Sequence, residues 1–167
     1  MSNKVAYFVV GPESSGTRMM VRSLTLSGVL EDLEQWDFGN SPTFSTEYSQ
    51  IVVHRSVPHG QAWPDLRQIQ ETLRKNDFKV VPIVMIRDIN ATIKSQIKRG
   101  YVDSWDDGLK KVRFALQTIF AQLPTALPVT YEAFCLSDKF RKWLFLDYFN
   151  LPESTIQIWY GNDNHYN

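Results

Sequence analysis

The segment Val80–Ile86 holds five β-branched side chains in seven positions and no polar residue. A half-exposed strand alternates apolar with polar residues, whereas an unbroken apolar run must be covered on both faces. Val5–Val10 has the same character and stops at Gly11-Pro12. Gln50–Arg55 and the short Pro128–Tyr131 read as further strands. Helical spacing fills the gaps between them. Thr17–Leu26 offers Met19, Met20, Leu24 and Leu26 to a core and stops at Gly28. Pro64–Asn76 carries Leu66, Ile69 and Leu73, and Ile89–Arg99 ends at Gly100. Ser104 caps a long helix whose stripe is Leu109, Val112, Leu116, Ile119, Phe120 and Leu123; Lys139–Phe149 is the last helix. Strand alternating with helix predicts α/β: a mainly parallel sheet with helices on both faces, one three-layer domain over residues 1–167. Ligands in such folds sit beyond the C-terminal ends of the strands.

Lys plus Arg equals Asp plus Glu, 18 each, a balance that points to neither a nucleic-acid partner nor a membrane surface. Cys135 is the single cysteine, which excludes a disulfide framework and a cysteine-rich metal site. The three histidines form no ligand-spaced cluster, so no metal site is expected. Val5–Val10 is too short for a signal segment or a bilayer span, and a cytoplasmic protein is expected. The polar, aromatic stretch 31–49 has the length of a lid-like loop. The tail from Ile156 has no clear element, and the oligomeric state is not encoded in any pattern here.

Chemistry begins at the first strand's end, in Gly11-Pro12-Glu13-Ser14-Ser15-Gly16-Thr17-Arg18. Gly11 and Gly16 bracket four residues, the spacing of a phosphate-cradling loop. Glycines let backbone N–H groups converge, and the following helix adds its positive dipole end. Ser15 and Thr17 add hydroxyls. A nucleotide triphosphatase has lysine and then serine or threonine after the second glycine; here Thr17 and Arg18 follow. Anion cradle and plain strand–helix turn both fit this loop.

Arg87 closes the Val80–Ile86 strand, and Ser95 lies eight positions on, about two helical turns away. A guanidinium suits a fixed dianion through paired charge-assisted bonds, and an ion pair with Asp88 is the ordinary alternative.

In these features the chain resembles PAPS-dependent sulfotransferases, as a small divergent member with their P-loop-NTPase-like architecture. Ser15-Gly16-Thr17 matches that family's 5′-phosphosulfate loop, and Arg87 with Ser95 matches its 3′-phosphate pair. Tyr131-Glu132, after a late strand and before a helix rich in Leu and Phe, is similar to a third family feature. The resemblance implies sulfuryl transfer from PAPS to a hydroxyl or amine of a small-molecule or glycan acceptor, with PAP as product. It implies a cofactor site of Gly11, Ser14, Ser15, Gly16, Thr17, Arg18, Arg87 and Ser95. Tyr131 is placed by it near the adenine, a packed strand-end aromatic being the other reading.

The departures are specific. Ser14 stands where the family has a lysine before Ser-Gly-Thr, and Arg18 is either its replacement or a solvated helix residue. The family's C-terminal Arg-Lys-Gly segment has no match; the 161–166 tail either substitutes or frays. The family's Lys-x-His-x-Pro pattern is matched only at Pro58. The general base expected from the resemblance is His54, which ends the second strand, or else His59; Glu13 is either a further candidate base or a solvated loop charge, and Arg55 is a source of positive charge. Two other functions stay open: a P-loop nucleotide or small-molecule kinase, and a non-catalytic module that binds PAP-type nucleotides.

Overall fold

The computed structural model describes residues 4–31 and 48–158. In chain order the elements are β1 (Val5–Pro12), α1 (Thr17–Leu26), β2 (Leu30–Glu31), β3 (Gln50–Val57), α2 (Leu66–Lys75) and β4 (Lys79–Ile86). They continue with α3 (Ile89–Lys98), α4 (Trp105–Gln122), β5 (Leu127–Thr130), α5 (Tyr131–Leu136) and α6 (Asp138–Lys142). A π-helical turn (Trp143–Tyr148) and a 3-10 turn (Glu153–Thr155) follow. The strands lie in the order β2-β3-β1-β4-β5, and every pairing is parallel.

β1 is central and apolar because both its faces are covered. Ala6, Phe8 and Val10 point into a core built with Leu66, Ile69 and Leu73 of α2 and Ala115 and Ile119 of α4. Tyr7 and Val9 point the other way, into a core with Met19, Met20 and Leu24 of α1 and Phe134, Leu144 and Phe145 of the C-terminal helices. Strand alternation thus feeds two cores from one run, and three layers result. Phe8 is fully buried, which contributes about 2–3 kcal/mol. Pro82 has no N–H to donate, and it falls one residue before β5 begins to pair with β4 at Ile83.

Several boundaries differ from those expected. β1 and β3 each run two residues further, because Gly11 pairs with Ser56 and Pro12 with Val57. β5 ends at Thr130, so Tyr131 opens a helix instead of closing a strand. The expected helix over 139–149 is divided, and a wide turn ends it where Phe149 N–H reaches back five residues to the Leu144 carbonyl (2.9 Å). Leu26 is exposed at the last position of α1. Phe120 is exposed because one residue rotates it about 100° from the buried Ile119. Most of the 31–49 stretch and the 161–166 tail lie outside the described residues. No helix among the described residues is long and apolar enough to cross a membrane.

The buried Arg141 closes α5. Its guanidinium donates to the carbonyls of Phe134 (2.6 Å) and Cys135 (2.8 Å) and pairs with Asp138. Those carbonyls have no intrahelical partner, so a cation there satisfies both hydrogen bonding and the helix dipole.

Candidate functional site: a basic pocket at the strand ends

The turn after β1 is tight on every side. A Cβ on Gly11 would lie 2.7 Å from the Met85 carbonyl of β4, so only glycine fits. Gly16 has φ +93°, and a Cβ there would run into the Tyr131 ring. Ser14 also has a left-handed backbone, φ 69°. Left-handed residues at 14 and 16 turn the intervening N–H groups toward one concavity. Ser15 N–H closes the turn onto the Pro12 carbonyl (3.0 Å).

Gly16 is also the N-cap of α1. No side chain caps that helix, and its first turn holds no acidic residue. Asp65, Asp88, Ser104 and Ser137 do cap α2, α3, α4 and α6. Met19 N–H turns back to the Gly16 carbonyl (3.0 Å), and among the described residues no side chain caps the N–H groups ahead of it.

Three elements hold the loop in this shape. Gln96 of α3, fully buried, donates through Nε2 to the Glu13 carbonyl (2.8 Å). The Glu13 carboxylate accepts from Gly60 N–H (3.0 Å) and pairs with Lys111 Nζ of α4 (2.7 Å). Arg87 donates to the Ser14 carbonyl (3.3 Å). Glu13 is therefore a strut, tied to two neighbouring segments. α3 and α4 come close enough for this because Gly108 has no side chain; a Cβ there would sit 2.6 Å from Ile93.

The loop floors a pocket of about 490 Å³. Ser14, Gly16, Thr17 and Arg18 form one wall, with Arg22 one turn further along α1. β3 and the turn after it supply His54, Ser56 and His59. Arg87, Ser95, Arg99 and Tyr101 close the opposite side. Arg87, Ser95 and Arg99 also border a second hollow of about 580 Å³, where Lys94 and Lys98 add to the positive rim. Among the described residues four arginines thus line the pocket against one carboxylate, Glu13, whose charge Lys111 already meets. The whole chain has a formal net charge of 0, so the positive charge is gathered locally.

Most of the expected site residues meet here. Arg18, Ser14, Gly16, Thr17, Arg87, Ser95, His54 and His59 share one pocket. Gly11 and Ser15 lie beneath it, Gly11 as the close approach to β4 and Ser15 as a buried residue. Ser15 Oγ is buried and makes no hydrogen bond within the described structure. Tyr131 is buried too, and it faces neither hollow. Its ring lies under Gly16 and beneath the Arg87 guanidinium, 4.8 Å from ring centre to Cζ, a cation–π support that fixes Arg87 in place.

β3 corrects one expectation. His54 does not end the strand; it pairs with Val9, and three more residues follow. Strand alternation puts His54 and Ser56 on the pocket side, where His54 Nε2 meets Thr17 Oγ1 at 2.9 Å. Arg55 points to the opposite face and does not line the pocket, so its charge acts on His54 from behind the strand and not from the pocket wall. Burial pushes Arg55 down to about 9. His54 is pushed down to about 4, first by burial and then by the charges of Arg18, Arg55 and His59. It is a neutral imidazole at neutral pH.

Arg22, Gln96, Arg99 and Lys111 were not legible as site residues one at a time. The available signal was spacing: Arg22 lies four after Arg18, and Arg99 four after Ser95, each on the helical face already chosen. Gln96 and Lys111 had no such signal, since their partner is Glu13 across the fold.

No protein-family model matches the chain, and no curated protein matches it.

Proposed function

We propose that this chain is a sulfotransferase of the P-loop-like type, moving a sulfuryl group from PAPS to a hydroxyl or amine of a small-molecule or glycan acceptor. The observation that carries this reading is convergence. The uncapped α1 N-terminus and the Arg87–Ser95 pair, far from it in sequence, line a single pocket together with Arg18, Arg22 and Arg99.

The residues fit the donor. The α1 N-terminus with Ser15 and Thr17 suits the 5′-phosphosulfate: backbone N–H groups converge, and the buried Ser15 hydroxyl has no other hydrogen bond among the described residues. Arg87, braced on Tyr131, and Ser95 suit the 3′-phosphate. Gly16 must be glycine because its left-handed backbone and the Tyr131 ring leave no place for a Cβ.

PAPS supplies an activated sulfuryl group on a good leaving phosphate. The acceptor oxygen forms the new bond to sulfur as the bond to the bridging oxygen breaks, and that oxygen keeps the electron pair. The acceptor proton goes to His54 Nε2, and Arg18 with the α1 dipole meets the charge left on the leaving phosphate. His59, on the turn after β3, lines the pocket as the second imidazole.

Calorimetric titration with PAP, with ADP and Mg-ATP as controls, tests the reading. Tight PAP binding that Arg87→Ala weakens about 10- to 100-fold is the expected result. Binding of Mg-ATP without PAP would replace it with the kinase reading, and binding of neither would overturn both.

A further inference from the structure

Beside the basic pocket lies an open cleft of about 450 Å³, lined by none of the residues assigned above to the donor. Trp63 and Phe114 form its floor. Their rings meet edge to face, 4.8 Å apart at 67°, yet they remain 43% and 56% exposed. Large aromatics left this bare in contact with each other offer apolar area that a ligand can cover. Lys110 is exposed on the rim, and Lys111 stands at the side nearer the loop.

Gly60 and Tyr101 border both the cleft and the basic pocket, so the two are neighbours across one wall. That wall is held firmly. Gly60 N–H bonds Glu13, and His59 and Ala62 exchange both backbone hydrogen bonds across the turn (2.8 and 3.1 Å). Tyr101 N–H bonds the Gln96 carbonyl (2.9 Å), and its own carbonyl accepts from Lys111 (3.2 Å). The Lys111–Glu13 pair therefore links the cleft to the phosphate-type loop directly.

We infer that this cleft is the acceptor subsite, and that it takes a ring-bearing acceptor carrying an acidic group, with the ring face on Trp63 and Phe114 and the anion toward Lys110. The inference rests on the sulfotransferase reading for the word acceptor, but the binding itself does not. An aryl carboxylate and a uronic saccharide share this chemistry: a flat apolar face, a reactive hydroxyl and one negative charge. A neutral ring would lose the lysine, and a chain-like anion would lose the platform.

The test uses the full chain labelled at tryptophan and follows the Trp63 indole N–H signal, identified by its loss in Trp63→Phe. 4-Hydroxybenzoate and methyl glucuronide are the two acidic probes; phenol and methyl glucoside are their neutral counterparts. The Trp63 signal is expected to move with an acidic probe and less with its neutral counterpart, and the probe that moves it further names the source. Phe114→Ala should weaken that binding about tenfold, the scale of an aromatic contact. Lys110→Glu should weaken it too, more at low salt than at high. A Trp63 signal that ignores both acidic probes at millimolar concentration overturns the inference, as does equal response to neutral and acidic probes. PAP titration of the same sample keeps the readings separate: loss of cleft binding with PAP binding intact sinks the cleft alone, and the reverse sinks the sulfotransferase reading alone.

Discussion

His54 offers a prediction whose size follows from its surroundings. An imidazole ordinarily titrates at 6.5, and in the folded chain His54 is pushed to about 4. From about pH 6.5 down to about pH 4, the unfolded chain carries a proton on His54 that the folded chain refuses. Stability therefore rises with pH across this window, and acid removes it. The full penalty, reached below about pH 4, is about 3 kcal/mol; at pH 5 about 2 kcal/mol of it has developed. That is visible against a domain stability of roughly 5–15 kcal/mol. Urea unfolding at about pH 7.5 and about pH 5 should show wild type losing about 2 kcal/mol more than His54→Gln, a variant that keeps a polar partner for Thr17. The difference between the two proteins cancels the carboxylates, which titrate in both. Equal losses, or a His54 ring proton titrating at 6.5 by NMR, would refute the argument. A bound dianion acts in the opposite sense and raises His54, so PAP binding should take up protons at about pH 5 and tighten as the pH falls toward it.

The remaining predictions concern the loop and its struts. Gly16→Ala should lower stability by about 2–3 kcal/mol, from left-handed strain and the collision with Tyr131, while Gly28→Ala, at φ +91° with open space, should cost about 1 kcal/mol; paired thermal melts compare them. By calorimetry, Arg87→Ala should weaken PAP binding about 10- to 100-fold and Ser95→Ala about fivefold, the scales of a charge-assisted and an ordinary hydrogen bond. Lys111→Met leaves the buried Glu13 carboxylate without its cation and should destabilise by about 1–3 kcal/mol; adding Glu13→Gln should restore part of that in urea melts.

The parallel sheet was readable because Val5–Val10 and Val80–Ile86 are apolar without interruption, a pattern that only burial on both faces explains. The positions of the loop, Arg87 and Ser95 followed from the same rule, since ligands gather at strand ends. What escaped is what depends on partners remote in sequence. The two-residue strand β2 has no periodicity to read. Tyr131 could not be assigned because its role is set by Gly16 and Arg87, 115 and 44 positions away. His54 looked like a strand end only because β3 continues through Arg55 and Ser56, polar residues that pair with β1 as well as apolar ones would.

The missing loop lysine bears on how such a site could work. Ser14 takes its position, with a left-handed backbone and its carbonyl held by Arg87. Arg18 is exposed on the pocket wall, and it is the foremost charge lowering His54. A cation that depresses a base opposes the base while the pocket holds no anion. Once an anion meets Arg18 and its neighbours, the part of the depression that comes from charge is relieved, while burial, the larger cause, persists. On the proposed reading, the donor itself makes His54 more basic than it is in the empty pocket, and acceptor deprotonation waits until the sulfuryl group is in place. The arrangement needs the arginine on the helix side of Thr17, where its charge reaches both the α1 N-terminus and His54.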